Sequence, residues 1–214
     1  MVVIHGGFWK AEYDASLGLP LAADLAARGW TTWNVEYRRV GNGGGVPETL
    51  DDMAASIDAL ADVPDLDVST VITLGHSAGG HLAAWAAARG RFDRWPERVS
   101  VTGVIAQAGV LDLTAGVKAG LGGGAVEAFV GAAPGPAYAE VDPARQVPLD
   151  VPVWCVHGID DAIVPLSQSS SYVDRAVAAG AVAELVEVDG DHFVVINPAS
   201  QAWARTVAIL DGIA

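Results

Sequence analysis

Three stretches of this chain carry residue types that can do nucleophilic chemistry. Ser77 lies in Gly75-His76-Ser77-Ala78-Gly79-Gly80, a G-x-S-x-G pattern between the apolar run Val71-Ile72-Thr73-Leu74 and the helix-forming stretch His81-Leu82-Ala83-Ala84-Trp85. A strand–turn–helix of this kind forces the serine outward at the carboxyl end of a strand, and the flanking positions must be small. The next helix then sets backbone N–H groups and a partial positive charge beside the hydroxyl. A plain tight turn would use the same glycines, but the strand before it and the helix after it favour a nucleophile. His192, in Asp189-Gly190-Asp191-His192-Phe193, supplies a base. An acid is available in His157-Gly158-Ile159-Asp160-Asp161-Ala162-Ile163-Val164-Pro165, where both Asp160 and Asp161 are candidates. In such a set the histidine takes the serine proton and the carboxylate fixes the imidazole tautomer.

Acyl transfer also builds negative charge on an oxygen, which needs donors already in place. His5-Gly6-Gly7-Phe8-Trp9 follows the first apolar run, and its glycines let backbone approach a reacting carbon. The N–H groups of Gly7, Phe8 and Ala78 are the expected oxyanion hole. Phe8, Trp9 and Phe193 stand beside these motifs, so they either contact an aromatic leaving group or pack in the core. Of the remaining histidines, His157 is expected to shape its turn. His76 and His81 are five apart, which does not match the H-E-x-x-H spacing of a zinc site, so no metal is expected. Nor is a cofactor: a dinucleotide-binding G-x-G-x-x-G would need glycine at Ser77, the run Gly41-Asn42-Gly43-Gly44-Gly45-Val46 lacks the third glycine, and Lys10 and Lys118 are the only lysines, so there is no Walker A motif. The glycines at 41–45 either line the site entrance or simply connect to the helix that begins at Pro47.

The elements that must hold these residues alternate. Strands are expected at 1–5, 31–37, 70–75, 101–108, 151–156 and 183–188. Most are nearly continuous apolar runs, as in strands covered on both faces. Helices are expected at 17–28, 47–62, 78–89, 167–179 and 199–212, several ending at a glycine. Leu50, Met53, Ile57 and Leu60 give the second helix one apolar stripe. The alternation predicts an α/β fold: a mostly parallel sheet of about six strands with helices on both faces. Parallel pairing gathers Ser77, the acid and His192 at one edge of the sheet. The 214 residues suit one domain, 1–214. Residues 114–148, rich in Gly, Ala and Pro, form either a small cap or a long connection with a short helix near 124–131.

Composition sets outer bounds. Half the residues (51%) are hydrophobic and 18% are charged, which excludes a disordered chain. A formal charge of −14 disfavours nucleic acid and anionic lipid as partners. No apolar run reaches the roughly 18 residues of a membrane span, and no signal-peptide pattern opens the chain. With the single Cys155 set in a core-like run, a cytoplasmic protein is expected. The oligomeric state is open.

Together, His5-Gly6-Gly7-Phe8-Trp9, Tyr37-Arg38-Arg39, the Ser77 hexapeptide, His157-Gly158 with Asp161 and Val164-Pro165, and His192-Phe193 resemble the esterase/lipase branch of the α/β-hydrolases, including the kynurenine-formamidase-like enzymes. The resemblance covers nearly the whole chain. It implies metal-free hydrolysis of small carboxylic esters or aryl formamides through an acyl-enzyme on Ser77. It also selects Asp161 as the acid, four residues after the histidine of H-G. Proteins of this kind usually carry about two strands before H-G-G, so the expected sheet lacks them. With only 114–148 available as a cap, short acyl groups, formyl to about butyryl, are expected. A non-catalytic binding protein on the same fold and a small peptidase are the competing readings.

Overall fold

In the computed structural model, which describes residues 1–213, six strands pair in parallel throughout. Ala214, the last residue of the expected domain, lies outside the described residues. The strands are β1 (Val2–Ile4), β2 (Trp33–Val35), β3 (Ile72–His76), β4 (Gly103–Gln107), β5 (Val153–Gly158) and β6 (Ala183–Val188), in the order β2-β1-β3-β4-β5-β6. Seven α-helices connect or flank them: α1 (Leu19–Ala27), α2 (Glu48–Asp58), α3 (Ala78–Ala88), α4 (Leu113–Lys118), α5 (Ala125–Val130), α6 (Ser167–Ala178) and α7 (Gln201–Asp211).

Strand periodicity divides the core into two layers. Val2 and Ile4 point to one face, where they join Leu50 and Met53 of α2, Leu82 and Trp85 of α3, and Tyr172 and Ala176 of α6. Met1 and Val3 point to the other, against Leu21 and Leu25 of α1 and Trp203 and Leu210 of α7. Both faces are thus covered, which is why β3 and β4 are buried along their whole length. No described helix is long and apolar enough to cross a membrane.

Two features of this arrangement position the site. The chain leaves β1 toward β2 on one side and returns to β3 on the other. The crevice beyond the carboxyl ends of β1 and β3 is therefore the topological switch point, where open parallel sheets bind ligands. The loop Gly6–Trp9 leaves β1 there, and Ser77 follows β3 there.

Residues 114–148 pack into the first layer. Leu121, Val126, Phe129, Tyr138 and Val141 are all buried in the cluster that contains β1 and α3. The short helix expected near 124–131 is α5, whereas α4 is additional. Asp112 caps α4 by accepting from the N–H of Ala115 at 2.7 Å. The buried carboxylate of Asp142 accepts from the N–H groups of Leu113 and Ala144, tying α4 to the end of the segment.

Candidate active site

The Ser77 turn is as tight as its sequence requires. A Cβ at Gly75 would collide with the carbonyl of Gly79, one at Gly79 with the carbonyl of Ile4, and one at Gly80 with the backbone of Gly109. Ser77 itself has φ +56° and ψ −117°, a conformation costly for any side chain. Its N–H donates to the carbonyl of Gln107 at 2.8 Å, and its carbonyl accepts from Gly80, His81 and Val110. The backbone is thus held on four sides. Ser77 stands at the N-terminus of α3 without using its hydroxyl as a helix cap, so Oγ is not committed to the turn.

The loop after β1 is shaped by three successive positive φ angles: Gly7 at 106°, Phe8 at 51° and Trp9 at 54°. A Cβ on Gly7 would strike the Tyr13 side chain, so only glycine fits. Lys10 N–H closes the turn on the carbonyl of Gly7 at 3.0 Å, and Val40 N–H fixes the Trp9 carbonyl at 2.8 Å. Among the described residues, no turn or loop carbonyl accepts from the N–H of Gly7, Phe8 or Ala78.

This left-handed turn sends Phe8 and Trp9 in different directions, and Trp9 takes the core-packing alternative rather than lining the crevice. It is fully buried, stacked on Phe129 of α5 at 4.5 Å between centroids and edge-on to His81 at 5.1 Å. Phe8 instead faces the crevice, backed by Gly122, where a Cβ would meet its ring.

In the acid loop the two adjacent carboxylates point to different surroundings. Asp161 Oδ2 accepts from His192 Nδ1 at 2.6 Å, while Asp160 is exposed. Asp161 Oδ1 accepts from the N–H groups of Ile163 and Val164, both at 2.8 Å. Burial alone would raise this carboxyl, but the hydrogen bonds from His157, His192 and Val164 outweigh it and hold it well below the usual carboxylate range. Because Nδ1 of His192 is engaged by Asp161, Nε2 is the nitrogen left for a reacting group.

Two histidines of the sequence have further roles. His157 shapes its turn, donating from Nε2 to the Val164 carbonyl at 2.9 Å, but the same nitrogen also lies 3.2 Å from Asp161 Oδ2. His76 donates from Nε2 to the carbonyl of His192 at 2.9 Å, and the two rings lie 4.5 Å apart. Burial, with the neighbouring His192 ring, lowers His76 to about 3, so it stays neutral. Cys155 is a core thiol that burial pushes up to about 12.

These pieces border one cavity of about 210 Å³, lined by Gly7, Phe8, Tyr13, Leu17, His76, Ser77, Ile163, His192, Phe193 and Ile196. Its lining holds no Lys, Arg, Asp or Glu side chain. Phe193, 53% exposed, stands at its rim. The glycines at 41–45 do not line it, and neither does any residue of 114–148. Tyr13, Leu17, Ile163 and Ile196 were not foreseen. Tyr13 precedes the 3₁₀ turn Ala15–Gly18 and Leu17 lies within it, and nothing local in their sequence points them at a serine 60 or more positions away. A larger cleft of about 540 Å³, lined by residues including Glu187, Gln201 and Arg205, contains no nucleophile beside a base.

A parallel sheet with this order, a serine elbow after its third strand, and acid and histidine loops after its fifth and sixth define the esterase/lipase branch of the α/β-hydrolase class. Within it the chain belongs to the BD-FAE family, whose model matches residues 1–175. It is similar to Esterase LipC of Mycobacterium tuberculosis (strain ATCC 25618 / H37Rv), 26% identical over a 191-residue alignment that covers 82% of this chain and 47% of that protein. The chain thus spans about half the length of that curated relative. Two solved structures share the fold. Esterase B of Lactobacillus rhamnosis, inhibited by a tributyrin phosphonate, superposes with a TM-score of 0.84 at 20% identity, over 99% of this chain and 73% of that one. A bifunctional GH43-CE protein of Bacteroides eggerthii superposes with a TM-score of 0.80 at 22% identity, over 97% of this chain and 30% of that one.

Proposed function

We propose that this chain is a serine esterase with Ser77 as nucleophile, His192 as general base and Asp161 as the acid that orients it. One observation carries the reading: a strained, outward serine shares an apolar cavity with a histidine whose other nitrogen is held 2.6 Å from a carboxylate. Family membership and the similarity to named esterases support the reaction type.

In this mechanism Ser77 Oγ attacks the ester carbonyl while His192 Nε2 takes its proton. The N–H groups of Gly7, Phe8 and Ala78 receive the oxyanion. Collapse breaks the acyl–oxygen bond, and His192 returns the proton to the departing alcohol. Water then repeats the sequence on the acyl-enzyme and releases the acid. Asp161 stays ionised throughout. Among the described residues no hydrogen bond joins Ser77 Oγ to His192 Nε2; contacts of this kind tighten when substrate is bound.

The cavity narrows the substrate. Its volume of about 210 Å³ lies below the roughly 300–1,000 Å³ of sites that take drug-sized ligands, favouring a short acyl group. The tributyrin phosphonate on Esterase B is consistent with short chains. The absence of charge among the lining residues favours a neutral ester over an aryl formamide bearing an amino-acid head, which would need charged partners. A fluorophosphonate probe should label the protein at Ser77, and Ser77→Ala should abolish labelling and cut ester turnover roughly 10⁴- to 10⁶-fold with the fold intact. A panel of p-nitrophenyl esters, with N-formylkynurenine alongside, should peak at or below butyryl. Near-normal turnover by Ser77→Ala would overturn the assignment.

A further inference from the structure

We infer that His157 is a positioning residue for Asp161, joining Ser169 to the acid–base pair in a single buried relay. The inference rests on the proposed roles of Ser77, His192 and Asp161. His157 is fully buried at the end of β5. Its Nε2 lies 2.9 Å from the carbonyl of Val164, and a carbonyl only accepts, so the proton is on Nε2. That same N–H reaches Asp161 Oδ2 at 3.2 Å. Nδ1 is then a lone pair, 2.7 Å from the Ser169 hydroxyl of α6, which must donate to it. Ser169 is also fully buried. The hydroxyl on α6 therefore fixes the tautomer of His157, and that tautomer presents an N–H to the carboxylate.

The carboxylate is saturated as a result. Oδ1 takes the N–H groups of Ile163 and Val164, Oδ2 takes His192, and the N–H that His157 directs to Val164 lies 3.2 Å from the same Oδ2. Among the described residues no Lys or Arg side chain pairs with Asp161; its side-chain partners are these two histidines. His76 faces His192 from the elbow but donates to its backbone carbonyl. Asp191, on the His192 loop, turns its carboxylate to the N–H groups of Phe193 and Val194. His157 is thus the one side chain that shares Oδ2 with His192. Sharing has two consequences. It stops the carboxylate from rotating away from Nδ1, and it spends part of the negative charge that would otherwise favour protonated His192.

Removing the shared donor should therefore do more than lower the rate. His157→Leu leaves the charge of Oδ2 shared with no second donor, which changes the electrostatics of the acid–base pair. The acid limb of the kcat/KM profile should move up by about half a pH unit or more. The kcat on a p-nitrophenyl ester should fall about tenfold to a hundredfold, as for loss of a hydrogen bond to a charged group. KM should change little, because His157 does not line the cavity. His157→Gln places an amide donor near the position of Nε2 and should restore both the limb and most of the rate. A merely structural histidine would lower activity equally at every pH, and glutamine would not rescue it.

The test runs wild type, His157→Leu, His157→Gln and Ser77→Ala in parallel, with a ¹⁵N-histidine spectrum of the wild type. Support consists of an upward limb shift in His157→Leu, rescue by His157→Gln, and an Nε2–H tautomer for His157. An unmoved limb, or glutamine no better than leucine, overturns the inference while an inactive Ser77→Ala leaves the esterase reading standing. An active Ser77→Ala removes that reading and the inference with it. The spectrum keeps the question open to refutation if the leucine variant does not fold, since an Nδ1–H tautomer for His157 contradicts the relay without any activity measurement.

Discussion

His81 makes the protein acid-sensitive in a way that one substitution isolates. It sits on α3 with no exposed surface, between Trp9 and Phe129. Nε2 donates to the carbonyl of Val141 at 2.8 Å, while Nδ1 has no partner. A second proton would thus be placed in apolar surroundings, and burial lowers His81 to about 4. The unfolded chain binds that proton near pH 6.5. Above pH 6.5 both states are neutral and the group is silent; as pH falls below 6.5 only the unfolded state gains a proton, so stability drops until the folded value is reached. At about 1.4 kcal/mol per pH unit, His81 should cost about 1.4 kcal/mol by pH 5.5 and about 2.5 by pH 4.5. His76, lowered to about 3, acts with the same sign and roughly doubles the loss. Against a typical total of about 5–15 kcal/mol this is a large share. Urea unfolding followed by tryptophan fluorescence at pH 7.5, 5.5 and 4.5 measures it. His81→Gln keeps a donor for Val141 but cannot titrate, so the gap between it and wild type should widen in the variant's favour by those amounts as pH falls. A pH-independent gap would refute the reasoning.

The two carboxylates of the acid loop should separate sharply. Asp161→Asn should lose about 10³- to 10⁴-fold in kcat, because an amide favours the wrong tautomer of His192, whereas exposed Asp160→Asn should stay within about tenfold. Both are to be read on one activated ester, with circular dichroism as a check on folding. The aromatic residues beside the motifs should separate in the same manner. Trp9→Ala empties a core position and should cost about 3–5 kcal/mol in denaturant unfolding. Phe193→Ala, at the exposed rim, should change stability by no more than about 0.5 kcal/mol and instead raise KM.

These contrasts follow the line between what the sequence discloses and what only the fold supplies. Strands β1, β3, β4 and β5 are legible because a parallel strand covered on both faces must be apolar almost throughout, whereas the edge strands β2 and β6 carry polar residues and show only as β-rich runs between helices. The elbow is legible because sterics demand small residues at Gly75, Gly79 and Gly80, each of which abuts backbone. Asp161 was separable from Asp160 only through the family spacing, since a turn's local sequence does not state which carboxylate faces inward. Helix α4 is six residues long, too short to show an apolar stripe, and its one signal is the cap at Asp112. Which of its two alternatives Trp9 takes was not legible, because the two left-handed residues that turn it inward, Phe8 and Trp9 themselves, are of types that rarely adopt that conformation.

The histidines show the same limit at the level of chemistry. His76 and His157 each lie inside a legible motif, yet the contacts that give them roles reach His192 from 116 positions away and Ser169 from the next helix. A motif states that a side chain will stand near the reacting group, not which atom of it will be protonated. That is decided by the partner across the fold. A carbonyl opposite Nε2 forces a proton onto that nitrogen in His76, His81 and His157 alike. Only His157 then has a hydroxyl against its other nitrogen and a carboxylate beside its proton. For His81 the neutral form is a stability liability at low pH. For His157 the same tautomer aims a donor at the one carboxylate the proposed reaction depends on, so an identical local rule yields a packing role in one place and a positioning role in the other.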